Sequence, residues 1–94
     1  MLSQPTADQV PISFSQFVIT LVQSTMVALG EVESPDTGQK RMNLELAQDT
    51  INVLTMLKNK TTGNLTDDER KLIDGLLVEV RTKFLTASGT YRRR

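Results

Sequence analysis

Apolar residues recur every three or four positions along three stretches of the chain, which is the spacing of helices that bury one face. The stretches cover 13–30, 43–60 and 66–86. The link between the last two is short, so it predicts an antiparallel helix hairpin. We therefore expect an all-α fold, in which a long first helix packs with the hairpin formed by helices 2 and 3.

Residues that favour helix ends stand at the edges of these stretches. Ser13, Asn43 and Thr66 can cap the three helix starts, because each side-chain oxygen can accept a hydrogen bond from an unpaired backbone N–H. Gly30 and Gly63 follow the first two helices, where glycine accepts the left-handed conformation that closes a helix. The third helix is predicted to end near residue 86.

Helix 1 has a wider apolar face than a helix packed on one side requires. With residues spaced about 100° apart, its apolar positions cover roughly 200°, whereas an ordinary core-facing stripe covers ~100°. The opposite face holds no charged residue, which is unusual for a helix in water. This pattern predicts that helix 1 is enclosed by a second copy of the chain, in a dimeric helical bundle. The expected interface has four residues on helix 1 and two on helix 3: Val18, Val22, Met26, Leu29, Val78 and Leu85.

The chain is predicted to consist of an N-terminal segment, one helical domain and a C-terminal tail. Residues 1–12 contain Pro5 and Pro11 and show no periodicity, which predicts a disordered N-terminal segment. Residues 13–87 form the single helical domain. Residues 88–94 are predicted to be a flexible basic tail.

The loop between helices 1 and 2 is most simply a solvated connector with a rigid turn, and it is the first place to look for contact with a different protein. It contains a turn at 34–38 and is ringed by charged residues, and loops carry function more often than helices do. The residues expected to take part are Glu31, Asp36, Lys40 and Arg41.

The composition removes most catalytic and metal-binding chemistry. The chain has 11 Lys+Arg and 11 Asp+Glu, so its formal net charge is zero, and it contains no His, Cys or Trp. A thiol nucleophile, an imidazole base and a Cys/His zinc site are therefore excluded. The acids at 67–69 are explained by a helix start, where negative charge is favourable. We expect no enzyme activity, no catalytic or metal-binding residues and no cofactor.

The C-terminal sequence Tyr91-Arg92-Arg93-Arg94 leaves a second interpretation open. A basic tail can touch nucleic acid or an anionic membrane surface. Three charges are few, and the sequence has no motif that reads a nucleic-acid groove, so nucleic acid is not the expected partner.

The location is expected to be cytoplasmic. The stretch 9–30 has no charge, but its serines, threonines and glutamines are too polar for a membrane span. The first ten residues lack the basic start and long apolar run of a signal peptide.

Several segments between Phe14 and Phe84 resemble a known family. They are Ala28-Leu29-Gly30-Glu31-Val32, Pro35-Asp36-Thr37-Gly38-Gln39-Lys40, Asn43-Leu44-Glu45-Leu46-Ala47, Met56-Leu57-Lys58-Asn59-Lys60-Thr61 and Leu72-Ile73-Asp74-Gly75-Leu76-Leu77. The pattern resembles the small bacterial proteins grouped as domain of unknown function 1844. The resemblance implies a helical, cytoplasmic bacterial protein, and it implies no activity.

Together these observations favour a non-catalytic, self-associating protein-interaction module. The alternative is an accessory protein that uses the arginine tail to bind nucleic acid or a membrane surface.

Overall fold

The computed structural model describes residues 12–92, with side chains as far as Gly89, and this part of the chain is an all-helical domain. Its three helices are α1 (Phe14–Ala28), α2 (Leu44–Lys60) and α3 (Asp67–Arg92). Each helix packs against the other two. The predicted all-α architecture of three packed helices is confirmed.

Polar contacts between α2 and α3 define the hairpin. Next to the turn, Lys58 Nζ lies 2.8 Å from Asp74 Oδ1, an ion pair without hydrogen-bond geometry. Farther from the turn, an Arg81 guanidinium N–H donates to Thr55 Oγ1 at 2.7 Å. Because the contacts move away from the turn in both helices together, α2 and α3 run antiparallel.

Helix α1 is joined to α2 in the same antiparallel sense. The Asn43 N–H donates to the Ala28 carbonyl oxygen at 2.7 Å, so the start of α2 lies beside the end of α1. Deeper in the domain, the Thr25 hydroxyl donates to Thr50 Oγ1 at 2.7 Å. Thr25 is fully buried, and its hydroxyl also lies 2.8 Å from the Leu21 carbonyl oxygen, so a group that would be costly to leave unpaired is satisfied.

The capping residues predicted from the sequence all act as caps. Ser13 Oγ accepts the Gln16 N–H, and Asn43 Oδ1 accepts the Leu46 N–H, each at 3.0 Å. Thr66, before α3, accepts a hydrogen bond from the Glu69 N–H and donates its own N–H to Glu69 Oε1. This reciprocal pair is a complete capping box.

Gly30 ends α1 as predicted. It has a φ of 76°, and its N–H donates to the Val27 carbonyl oxygen, while the Glu31 N–H donates to the Met26 carbonyl oxygen. These two bonds form a Schellman motif, which needs a residue with positive φ at this position.

Aliphatic side chains from all three helices form the core. The main buried cluster joins one residue of α1, two of α2 and three of α3: Val18, Ile51, Leu54, Ile73, Leu77 and Val80. A smaller cluster of Ala28, Leu29 and Ala47 lies where α1 ends and α2 begins. The core therefore runs along the line where the three helices meet.

Helix α3 is longer than the sequence analysis predicted. It continues past the expected end near residue 86 and reaches Arg92, so residues 88–92, assigned above to a tail, are helical. Ala87 packs against the smaller cluster, which holds the next turn of the helix in place. Gly89 has no positive φ and does not end the helix. Residues 1–11, Arg93 and Arg94 lie outside the described residues, as do the predictions made for them.

Candidate association surfaces

Two of the residues expected at a dimer interface belong to the core of one chain. Val18 is 0% exposed and Leu29 is 4% exposed. Because their own hairpin already covers them, they have no surface left for a partner, and their assignment to the interface is corrected. The wide apolar arc of α1 is largely used inside the chain, where α1 packs on both α2 and α3.

Val22 and Met26 also face the chain's own core. Both are half-buried and pack against the main cluster, and Met26 contacts the smaller cluster as well. Only the exposed part of each of these two side chains could contact a second molecule.

Val78 and Leu85 remain exposed on α3. Their exposed fractions are 64% and 70%, which are high values for large aliphatic side chains. They are seven residues apart, so they lie on the same face of the helix. Of the six expected interface residues, these two keep most of their surface available.

The outer face of α1 is exposed and carries no charge. Gln16, Thr20, Gln23 and Ser24 are exposed there. Phe17 and Ile19 border this face with exposed fractions of 39% and 38%. This face was predicted to be covered by partner helices, and among the described residues it is open.

The loop between α1 and α2 does not bring its four predicted partner residues together. Glu31 lies 3.7 Å from Lys83 Nζ and ties the loop to α3. Arg41 lines a groove of about 670 Å³ beside α2. Asp36 lies in the turn, where its N–H donates to Ser34 Oγ, and Lys40 is exposed. Glu31 thus has a structural contact, whereas Arg41 stands beside an open apolar groove.

Another groove, between α2 and α3, was not anticipated. It has a volume of about 400 Å³ and is lined by Gln48, Ile51, Asn52, Thr55, Arg81, Phe84 and Leu85. Arg81 is the charged residue of this lining, and its bond to Thr55 holds it across the groove. In the sequence, the only indication of this groove is the spacing of four residues between Arg81 and Leu85, which puts them on one face of α3. The residues of α2 that complete the groove come near them only in the tertiary structure.

The acidic residues at the start of α3 act as a helix start. Glu69 is engaged in the capping box, and Asp67 lies 3.5 Å from Arg70. Across the described residues, no group of three or more His, Cys, Asp or Glu could hold a metal ion. Within the same part of the chain, no helix is long and apolar enough to cross a membrane.

Comparisons with known proteins identify a family. No curated protein and no solved structure gives a significant match to this chain. A family model with the description "Domain of unknown function (DUF1844)" matches residues 11–86, a range that includes the whole of α1 and α2 and most of α3. The chain therefore belongs to the family described as Domain of unknown function (DUF1844).

Proposed function

We propose that this protein is a non-catalytic interaction module that associates with a second copy of itself. The observation that carries the proposal is the exposure of Val78 and Leu85 on one face of α3. Leu85 has the highest exposed fraction of the large hydrophobic side chains that the structure describes, and its position on one face with Val78 favours a surface that is covered in an assembly.

The free energy available from this surface can be estimated. Complete burial of a Val or Leu side chain contributes roughly 1.5–3 kcal/mol relative to exposure. Since about two thirds of each side chain is still exposed, covering the pair would contribute about 2–4 kcal/mol in total. A micromolar dissociation constant corresponds to a net ~8 kcal/mol after the cost of association is subtracted, so a stable dimer needs contacts beyond these two side chains.

The absence of catalysis in this proposal is supported by the residues the chain possesses. The sequence has no His or Cys. The acids that sit next to one another at 67–69 are used at the start of α3, and Asp74 is paired with Lys58. The proposal includes a cytoplasmic bacterial location, which the family resemblance implies.

Sedimentation velocity of the full chain at micromolar concentration tests self-association. We expect the mass of a dimer, and we expect Val78→Lys and Leu85→Lys to shift the protein to a monomer, because each would bury an unpaired charge at the contact. Val53→Lys is the control, since this side chain of α2 is exposed by 37% and lies outside the groove between α2 and α3. A monomer mass for the unmodified chain would refute the proposal.

The arginine-rich end supports an alternative, because α3 continues as far as Arg92, the first of the three arginines. Fluorescence anisotropy with a labelled DNA duplex, and flotation with anionic vesicles, would test it. Binding that is lost on deletion of residues 92–94 favours the alternative. No binding by the full chain favours the interaction module.

A further inference from the structure

Two glycines inside α3 are not explained by the conformation of the chain. Gly75 and Gly89 are helical, and neither has a positive φ, unlike Gly30, Gly38 and Gly63. Glycine inside a helix is less favourable than alanine by about 1 kcal/mol. At these two positions a role for the missing side chain, other than a backbone conformation, would offset this cost.

Packing within the chain does not supply such a role. A Cβ atom built on Gly75 or on Gly89 would meet no described atom within 4 Å, apart from the neighbouring backbone of α3 itself. At Gly30, by contrast, the same construction comes within 3.6 Å of Met42. Among the described residues, the space over Gly75 and Gly89 is therefore open, and their small size is available to another molecule.

The glycines lie on the same face of α3 as the exposed aliphatic residues. Spacings of three and four residues connect this set, which we call the α3 stripe: Gly75, Val78, Thr82, Leu85 and Gly89. This alternation keeps all five positions along one side of a helix. The stripe carries no charge, its first four residues are exposed, and Gly89 is half-buried.

We propose that the α3 stripe is the place where a second copy of this chain docks, with the two α3 backbones in close approach at the glycines. This inference rests on the proposed self-association and specifies its contact. Small residues allow helices to approach closely, as glycine and alanine do where helices cross. Large and small residues alternate along the stripe, so the Val and Leu of one copy can fill the spaces over the small residues of the other.

The properties of the chain favour a second copy as the occupant. A contact around a two-fold axis requires a surface that complements itself, and an uncharged stripe of alternating size meets this requirement. The chain has 11 basic and 11 acidic residues, so two copies carry no net charge that would oppose association. At the points of closest approach, glycine has no side chain that would keep the two helices apart. The Arg81 guanidinium is hydrogen-bonded to Thr55, beside the stripe, so its charge does not lie within the stripe.

The area needed by a stable dimer indicates how far the contact extends. From Gly75 to Gly89 the helix rises roughly 21 Å, so a strip one helix wide covers about 200 Å². A stable interface buries about 800 Å² on each partner. The second copy must therefore also cover the adjoining groove of α2, where Gln48 and Asn52 lie beside Leu85. The contact joins one α2–α3 hairpin to another, as in a helical bundle.

Substitution of the glycines distinguishes the loss of this dimer contact from misfolding of the variant chain. We expect Gly75→Leu and Gly89→Leu to raise the dimer dissociation constant at least tenfold, because overpacking a close contact typically costs enough for such a change. In dilute solution, where the chain is monomeric, both variants should melt roughly 3–5 °C higher than the unmodified protein, because leucine favours a helix more than glycine does. Weaker association together with a more stable monomer cannot result from misfolding.

Thr20→Leu is the matched control, since it adds the same side chain to the exposed, uncharged outer face of α1. Sedimentation velocity measures association for all three variants, and circular dichroism measures melting. The inference is supported if only the glycine variants weaken the dimer. If the glycine variants dimerise normally, the inference is overturned and the proposed self-association stands. The same holds if Thr20→Leu weakens the dimer and the glycine variants do not, because the contact would then lie on α1. A monomeric unmodified chain overturns both proposals.

Discussion

Replacement of Thr66 by alanine tests how the start of α3 is stabilised. The substitution removes the hydrogen bond from the Glu69 N–H to Thr66 Oγ1, which is 3.1 Å long. The reciprocal bond from the Thr66 N–H to Glu69 Oε1, at 2.9 Å, can still form. Because Thr66 is exposed, water can replace the lost partner in part, so the cost corresponds to an ordinary helix cap.

We expect Thr66→Ala to lower the free energy of unfolding by about 1 kcal/mol, equivalent to a decrease in melting temperature of roughly 4–8 °C. Urea unfolding followed by far-ultraviolet circular dichroism measures this change. All variants must be compared at one protein concentration, because association would change the apparent stability.

Thr86→Ala is the control for this prediction. Thr86 is also exposed on α3, and its hydroxyl donates to the Thr82 carbonyl oxygen within the helix. Alanine favours a helix interior more than threonine does, so this variant should be neutral or slightly stabilised. The capping argument is refuted if Thr66→Ala costs less than about 0.3 kcal/mol or resembles Thr86→Ala, since replacing a cap normally costs at least ~0.5 kcal/mol.

Three further predictions concern the core, a helix end and an ion pair. Leu54 is fully buried, so Leu54→Ala should cost about 2–5 kcal/mol in urea unfolding, whereas Val53→Ala, at an exposed neighbour, should cost far less. Gly30→Ala should cost about 1–2 kcal/mol because φ is 76°, and a variant as stable as the original chain would contradict the Schellman ending. A double-mutant cycle of Lys58→Ala and Asp74→Ala should give a coupling of ~0.2–1 kcal/mol, because the two side chains keep 44% and 38% of their surface exposed to water. A coupling above ~2 kcal/mol would show that the pair contributes more than a solvent-screened ion pair does.

The local features of this protein follow from short segments of its sequence. The starts of α1, α2 and α3 were predicted at Ser13, Asn43 and Thr66, and the end of α1 at Gly30. Each of these signals depends on residues within a few positions of one another, such as the bond between Thr66 and Glu69. Local hydrogen bonds and the conformation of glycine are encoded in short segments, so they can be predicted without knowledge of the tertiary structure.

The packing of the three helices, in contrast, sets which apolar residues are covered and where α3 ends. The sequence could show that α1 is apolar over a wide arc, but not that its own hairpin would cover Val18 and Leu29. Helix α3 extends to Arg92, beyond its predicted end, and Ala87 contacts a cluster formed by α1 and α2. The bond between Arg81 and Thr55, across the α2–α3 groove, joins residues 26 positions apart. Such contacts depend on the relative rotation and spacing of whole helices, and the packing of all three helices together sets these quantities.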